Sequence, residues 1–215
     1  SHADIDHFNA LPQLRRLVPI GAVFAPRMFF ESDEAAVTLI KTELAEMHVP
    51  VRFVHRGDRL VFDSPVRVSV LWPPWSARAV SDNEASCVLL VEFAGRRILL
   101  PADLEGAGLA ELIAHTPGRF DVVTAPHHGS ARSSTPEFVA WARPAYVVVS
   151  EGRPRAVDFL QRLRAVYRHA ESLLWTQADG AVTVVVQPCG DLSVKTFRPA
   201  PIAVEHSAPF VRRRE

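Results

Sequence analysis

Four residues with metal-binding side chains, His2, Asp4, Asp6 and His7, crowd into the opening run Ser-His-Ala-Asp-Ile-Asp-His. Imidazole nitrogen and carboxylate oxygen together suit borderline divalent ions such as zinc, manganese or iron, and a cluster this dense can serve two ions as readily as one. The first chemistry it points to is hydrolysis. The competing reading is a polar loop capping a helix. That reading leaves two carboxylates and two imidazoles with no task.

Two later segments share the trait of polar ligands placed directly after an apolar strand. In Leu99-Leu100-Pro101-Ala102-Asp103-Leu104-Glu105 a carboxylate separates a hydrophobic strand from a helix, where sheet-edge active sites are built. Asp103 is placed either to cap that helix or to bridge two cations. In Ala125-Pro126-His127-His128-Gly129-Ser130, adjacent imidazoles allow one ring to bind metal while the other contacts substrate or supports the first. The hydroxyls and amides running through Ser130, Ser133 and Ser134 into the next helix suit a phosphate group.

The elements that must position these residues can be read from periodicity. Phe8, Leu11, Leu14 and Leu17 recur every third residue and predict a short amphipathic helix after the ligand loop, followed by a strand near Ile20 to Phe24. Ser32-Asp33-Glu34 offers a helix start, with Ala36, Leu39, Ile40, Leu44 and Met47 as its apolar face, ending near His48. Alternating residues from Val51 to Trp72 predict antiparallel strands turned at Arg56-Gly57-Asp58 and Asp63-Ser64-Pro65, and a hairpin turned at Ala94-Gly95 joins Cys87 to Phe93 with Arg97 to Leu100.

From there helix and strand alternate: helix Leu104 to Ala114, strand Val122 to Ala125, helix Pro136 to Trp141, strand Tyr146 to Ser150, helix Val157 to His169. Such alternation predicts an α/β half with buried strands. Antiparallel strands are expected again at Ser172 to Trp175, Ala181 to Val186 and Leu192 to Phe197. The expected division is a domain over residues 1–198 and a tail over 199–215 that ends in Arg212-Arg213-Arg214.

The 215 residues are 48% hydrophobic with 24 basic and 24 acidic side chains, the profile of one globular domain with no overall field drawing it to nucleic acid. Cys87 and Cys189 lack metal-knuckle spacing, and both are expected to be buried structural thiols. No apolar run approaches the ~20 residues that span a bilayer. With no initiator methionine, the chain reads as a fragment. His48, His55, His115, His169 and His206 are read as solvated or structural, Trp72 and Trp75 as packing onto the core.

The three motifs together carry a family resemblance. Ser-His-Ala-Asp-Ile-Asp-His resembles the His-x-Asp-x-Asp-His variant of the metallo-β-lactamase signature, and Leu-Leu-Pro-Ala-Asp-Leu-Glu resembles its second, aspartate-bearing element. Pro-His-His-Gly-Ser-Ala-Arg-Ser-Ser is similar to the form in the C-terminal β-lactamase-like domain of the ComEC/Rec2 competence proteins, and Ser81-Asp82-Asn83 to an Asn-rich element there.

The resemblance implies an α+β fold, the metallo-β-lactamase αββα sandwich, here missing its N-terminal strands. It also implies two divalent ions, zinc or manganese, and no organic cofactor. His2 and Asp4 are then ligands of one ion, Asp6 and His7 of the other, Asp103 bridges or completes the site, and His127 or His128 is a further ligand. Asp6 would also orient the metal-activated hydroxide, and Ser130, Ser133 and Ser134 would contact phosphate.

The implied activity is a nuclease degrading single-stranded DNA during uptake. The partners would be that DNA and the membrane channel portion of the full-length protein, with this domain soluble and outside the cytoplasm. Two alternatives stand beside it: a degenerate domain that binds DNA or assembles the channel, and a stand-alone hydrolase of a small ester, lactone or thioester. The chain departs from the family at Asn9-Ala10 and Ala102, where glycines are usual. After Ser150 it reads Glu151-Gly152 in place of a histidine-bearing segment.

Overall fold

The computed structural model describes residues 1–76, 81–152 and 155–198, so the expected tail, with its three terminal arginines, lies outside the described residues. The opening segment is a single 3-10 turn, Ile5–His7, followed by the one-turn helix α1, Leu11–Leu14. The longer amphipathic helix expected here is cut short. A spacing of three at ~100° per residue slips by ~60° each step, so no common face forms. Phe8 is accordingly buried, whereas Leu14 and Leu17 are 47% and 80% exposed.

Strand β1, Val23–Ala25, is followed by α2, Arg27–Glu31, α3, Ala35–Glu46, and β2, Val51–Phe53. Helix α3 starts where expected, but Val37 takes the core position and Leu39 stays exposed. Strands β1 and β2 pair parallel, not antiparallel. The intervening helices carry the chain back to the strand's starting end, and only a parallel pairing allows that.

The main sheet has seven strands in sequential order: β3, Arg59–Leu60; β4, Arg67–Trp72; β5, Val88–Phe93; β6, Arg96–Leu100; β7, Val122–Thr124; β8, Tyr146–Val149; and β9, Ser172–Trp175. Strands β3 to β6 pair antiparallel and β6 to β9 parallel. Ala94 and Gly95, both at positive φ, turn the β5–β6 hairpin as expected. Strand β9 corrects the expected antiparallel return, because helix α6, Val157–Val166, crosses over between it and β8.

Helices α4, Gly106–His115, and α5, Pro136–Ala142, make the other crossovers; α7, Thr176–Asp179, leads into a separate antiparallel pair, β10, Ala181–Val186, with β11, Leu192–Phe197. The architecture is therefore mixed α and β, as expected. One core cluster joins Trp72, Leu99, Leu104, Leu112, Phe120 and Phe138; another joins Val147, Val149, Leu163 and Tyr167. Trp72 is buried and its indole N–H donates to the Glu84 carbonyl at 2.7 Å, while Trp75 remains exposed beside His55 and Arg27. Among the described residues no helix is long and apolar enough to cross a membrane.

Candidate metal centre

The carboxyl ends of β6, β7 and β8 lie side by side, and each opens into a loop carrying a polar ligand: Asp103 after β6, His127 and His128 after β7, Ser150 after β8. The amino-terminal loop closes over this edge. Ala3 and Phe8 are buried in a cluster with Phe29 and Ile40, and the Phe8 and Phe29 rings meet edge to face at 5.3 Å. These two apolar anchors turn His2 inward, with 1% of its surface exposed, and leave Asp4 and Asp6 toward solvent.

Asp103 is buried at the centre, and its two oxygens face different imidazoles. Oδ1 lies 3.4 Å from Nε2 of His7, and Oδ2 lies 3.6 Å from Nε2 of His128 and 3.8 Å from that of His127. Asp6 Oδ2 stands 3.6 Å from His128 Nε2 and 3.8 Å from His7 Nε2. Two triads result, His2/His7/Asp103 and Asp6/His7/His128, each with ligand atoms within 4.8 Å of one another. Asp4 belongs to neither triad, although its Oδ2 is 3.3 Å from His2 Nε2.

The protonation pattern suits a cation. Burial, then the neighbouring His7, pushes the His2 imidazole below its ordinary value, so it is neutral near pH 7. Burial alone would push the Asp103 carboxyl up; His7 beside it, and then His128 and His127, outweigh that and hold it low. Nε2 of His2 and of His7 is buried with no hydrogen-bond partner. Two buried ring nitrogens without hydrogen-bond partners beside a buried carboxylate make up the kind of donor set a divalent ion takes.

Residues outside the expected set hold the ligands in place. The Ser86 hydroxyl accepts from the Asp103 backbone N–H at 3.2 Å and lies 3.3 Å from His2 Nδ1, so one buried hydroxyl orients two candidate ligands. His128 Nδ1–H donates to the Ser150 carbonyl at 2.7 Å, which leaves Nε2 with its lone pair toward Asp6 and Asp103. His127 is held the same way by Glu105, whose Oε2 is 3.1 Å from Nδ1. Asn83 Nδ2 in turn donates to Glu105 Oε1 at 3.2 Å.

Glu105 and Ser86 are the positioning groups that motif reading missed. The one available signal was the nearness of Glu105 to Asp103 in the loop between β6 and α4.

Backbone strain concentrates here too. Ala102, His127 and His128 all have positive φ, at 50°, 48° and 53°, where residues other than glycine are disfavoured. The two loops brace each other, since the His127 N–H donates to the Ala102 carbonyl at 2.9 Å. Such clustering of strained residues is a mark of functional sites.

The expected phosphate contacts need correction. Ser133 and Ser134 are fully buried, and the Ser134 hydroxyl is 2.9 Å from the Tyr167 hydroxyl. The turn before α5 folds these side chains under the helix. Ser130 alone of the three is partly exposed, and its Oγ accepts from the Arg132 N–H at 3.3 Å. Cys189 is also corrected: it is exposed, whereas Cys87 is half-buried with its thiol pushed up to about 11 by burial.

No protein-family model matches the chain. Comparison with curated proteins finds ComE operon protein 3 of Bacillus subtilis, 29% identical over 192 residues, covering 85% of this chain and 23% of that protein. Recombination protein 2 of Haemophilus influenzae is 30% identical over 48% of this chain and 13% of its own length. Competence protein ComA of Neisseria gonorrhoeae is 34% identical over 51% of this chain and 16% of its own length. The chain thus spans less than a quarter of each relative. Among solved structures, a CmlA beta-hydroxylase E377D mutant aligns with TM-score 0.44 at 18% identity, over 69% of this chain and 34% of that one.

Proposed function

We propose that this chain, a homologue of the ComEC/Rec2 competence proteins, is a metal-dependent phosphodiester hydrolase of the metallo-β-lactamase type that acts on single-stranded DNA during uptake. One observation carries the reading: Asp103 divides its two oxygens between His7 on one side and His127 and His128 on the other, with Asp6 completing the second group. The residues fit two divalent ions, zinc or manganese. His2, His7 and Asp103 would hold one, and Asp6 and His128 the other, with Asp103 shared and Asp4 and His127 as flanking donors.

Divalent ions bound there would polarise the phosphodiester and lower the pKa of water. The chain's own residues supply the rest. Asp103 stays ionised in its buried position. Ser86, Glu105 and the Ser150 carbonyl fix the imidazole orientations. Asp6, at the solvent side, faces His7 and His128 through Oδ2, and its other oxygen would orient the attacking water. Ser130 is the hydroxyl at the rim available to a phosphate oxygen. In the full-length protein the partner would be a membrane channel portion, with this domain outside the cytoplasm.

A second reading, a domain that binds DNA without cleaving it, draws on one observation. The loop after β8 carries Glu151 where a further imidazole is expected of this family, and the Glu151 N–H is tied to Thr176 Oγ1 at 2.9 Å. The experiment is cleavage of end-labelled single-stranded DNA by purified protein with manganese, zinc or chelator, beside Asp6→Ala. Metal-dependent cleavage lost in Asp6→Ala supports the hydrolase. Bound metal without cleavage supports the degenerate domain.

A further inference from the structure

At the end of the main sheet opposite the candidate metal centre, the amino ends of β6, β7, β8 and β9 line a polar cleft of about 790 Å³. Four arginines contribute to its lining: Arg96, Arg97, Arg119 and Arg143. They divide into two pairs. Arg96 is engaged by Asp121 at 2.9 Å and by the Gly190 carbonyl. Arg97 donates to the Gly118 and Arg119 carbonyls at 2.8 and 2.7 Å and lies 4.7 Å over the Phe120 ring. These two build the wall.

Arg119 and Arg143 differ. Among the described residues no carboxylate forms an ion pair with either; Arg143 Nε donates to the Ala140 carbonyl at 3.0 Å, which leaves its terminal nitrogens toward the cleft, and both residues are exposed there. Both also sit at positive φ, 73° and 43°. The backbone is fixed there by the Arg119 N–H to the Trp141 carbonyl at 3.1 Å and the Arg143 N–H to the Val139 carbonyl at 2.9 Å. Glycine is the residue such positions favour, since it meets no Cβ penalty. At both positions a long cation stands where glycine would be easier. Asp121, already engaged by Arg96, and Glu171 line the same cleft, so the charge available to a ligand there is the pair of exposed guanidiniums of Arg119 and Arg143, whose N–H donors suit phosphate oxygens.

We infer that this cleft is a second anion site, in which Arg119 and Arg143 bind phosphate groups. The site is separate from the metal centre and does not depend on its reading. The phosphate comes either from a nucleic-acid strand or from a free nucleotide. A strand held here would be gripped by its backbone, at the end of the sheet remote from the hydrolytic edge.

The test uses the whole chain in chelator, so that metal-centre chemistry is silent. Binding of a fluorescent single-stranded oligonucleotide and of a fluorescent nucleoside triphosphate is measured against salt, for the parent, for Arg119→Gly/Arg143→Gly, and for Arg15→Ala/Arg16→Ala as a charge-matched control. Glycine relieves the backbone strain, so the double variant keeps its fold, which its melting temperature checks.

If the strand is the ligand, the double glycine variant weakens oligonucleotide binding roughly 20-fold at 0.1 M salt and lowers the salt slope by about 1.4, as loss of two phosphate contacts requires, while the control changes little. If the nucleotide is the ligand, only its binding falls. Equal losses in variant and control, or no loss of either probe, overturn the proposal.

Discussion

His7 and Asp103, far apart in the sequence, meet with Nε2 and Oδ1 3.4 Å apart, and that His7 nitrogen is buried without a hydrogen-bond partner. Asp103 turns its other oxygen to the His127/His128 pair. His7 belongs to both triads, and Asp103 is the carboxylate that faces the imidazoles on both sides. Asp103→Asn should reduce zinc or manganese affinity at least about 100-fold, beyond what loss of a supporting group costs, whereas Asp4→Asn should cost less than tenfold. Calorimetric titration of both variants checks the contrast.

Glu105 acts through His127, and its removal should show in metal binding before it shows in folding. Supporting carboxylates of this kind are worth about 10- to 100-fold in metal affinity. Glu105→Ala should lose that much, with Glu105→Gln recovering part by accepting from Nδ1–H. The absorption spectrum of a cobalt-loaded protein would report the altered imidazole, and unchanged spectra and affinities in both variants would remove Glu105 from the account.

Ala102 holds a left-handed backbone while its carbonyl anchors the His127 N–H. The left-handed region costs a residue with a Cβ about 1–2 kcal/mol, of which glycine's greater unfolded entropy returns about half. Ala102→Gly should thus stabilise the chain by about 0.5–1 kcal/mol, or roughly 2 °C in Tm. A fall in Tm would show that Ala102 is not strained as described.

Acid should destabilise the metal-free protein in two stages. His2 is held below its ordinary value first by burial and then by His7. Below ~6.5 the unfolded chain therefore takes a proton that the folded chain refuses, and stability falls as pH drops through that value. Asp103 is held low, so its contribution is present above ~3.9 and is lost as pH falls through its folded value. Thermal melts in chelator from pH 7.5 to 5.5 should slope downward, and His2→Gln should flatten them.

The thiols should separate cleanly. Cys189 is exposed, and the Cys87 thiol is pushed up to about 11 by burial. At pH 8 a disulfide reagent should modify Cys189 at least about 100-fold faster than Cys87, in proportion to thiolate content and access. Equal rates would contradict the burial of Cys87.

What the sequence reveals and what it hides follow from the range of the forces involved. The β5–β6 hairpin, α4 and α5 are written in local patterns of period two or 3.6 and in glycine-bearing turns, and they stand where expected. Strand direction is a tertiary property. β2 and β9 read as antiparallel until the helices between paired strands are counted, and those crossovers make both parallel.

The fates of Ser133 and Ser134 depend on which way a turn rolls over Tyr167, which no local spacing records. Leu14 and Leu17 show the limit of a three-residue stripe in a helix of one turn. Glu105 was visible as a residue but not as a partner, because its hydrogen bond to His127 joins two loops brought together only by the parallel pairing of β6 and β7.

The central claim is that one buried carboxylate organises two divalent ions, and anomalous diffraction from crystals grown with manganese, then zinc, addresses it most directly. The account predicts two anomalous peaks about 3.5–4 Å apart flanking Asp103, one toward His2 and His7 and the other toward Asp6 and His128. A single peak remote from Asp103, or none at saturating metal, would contradict it.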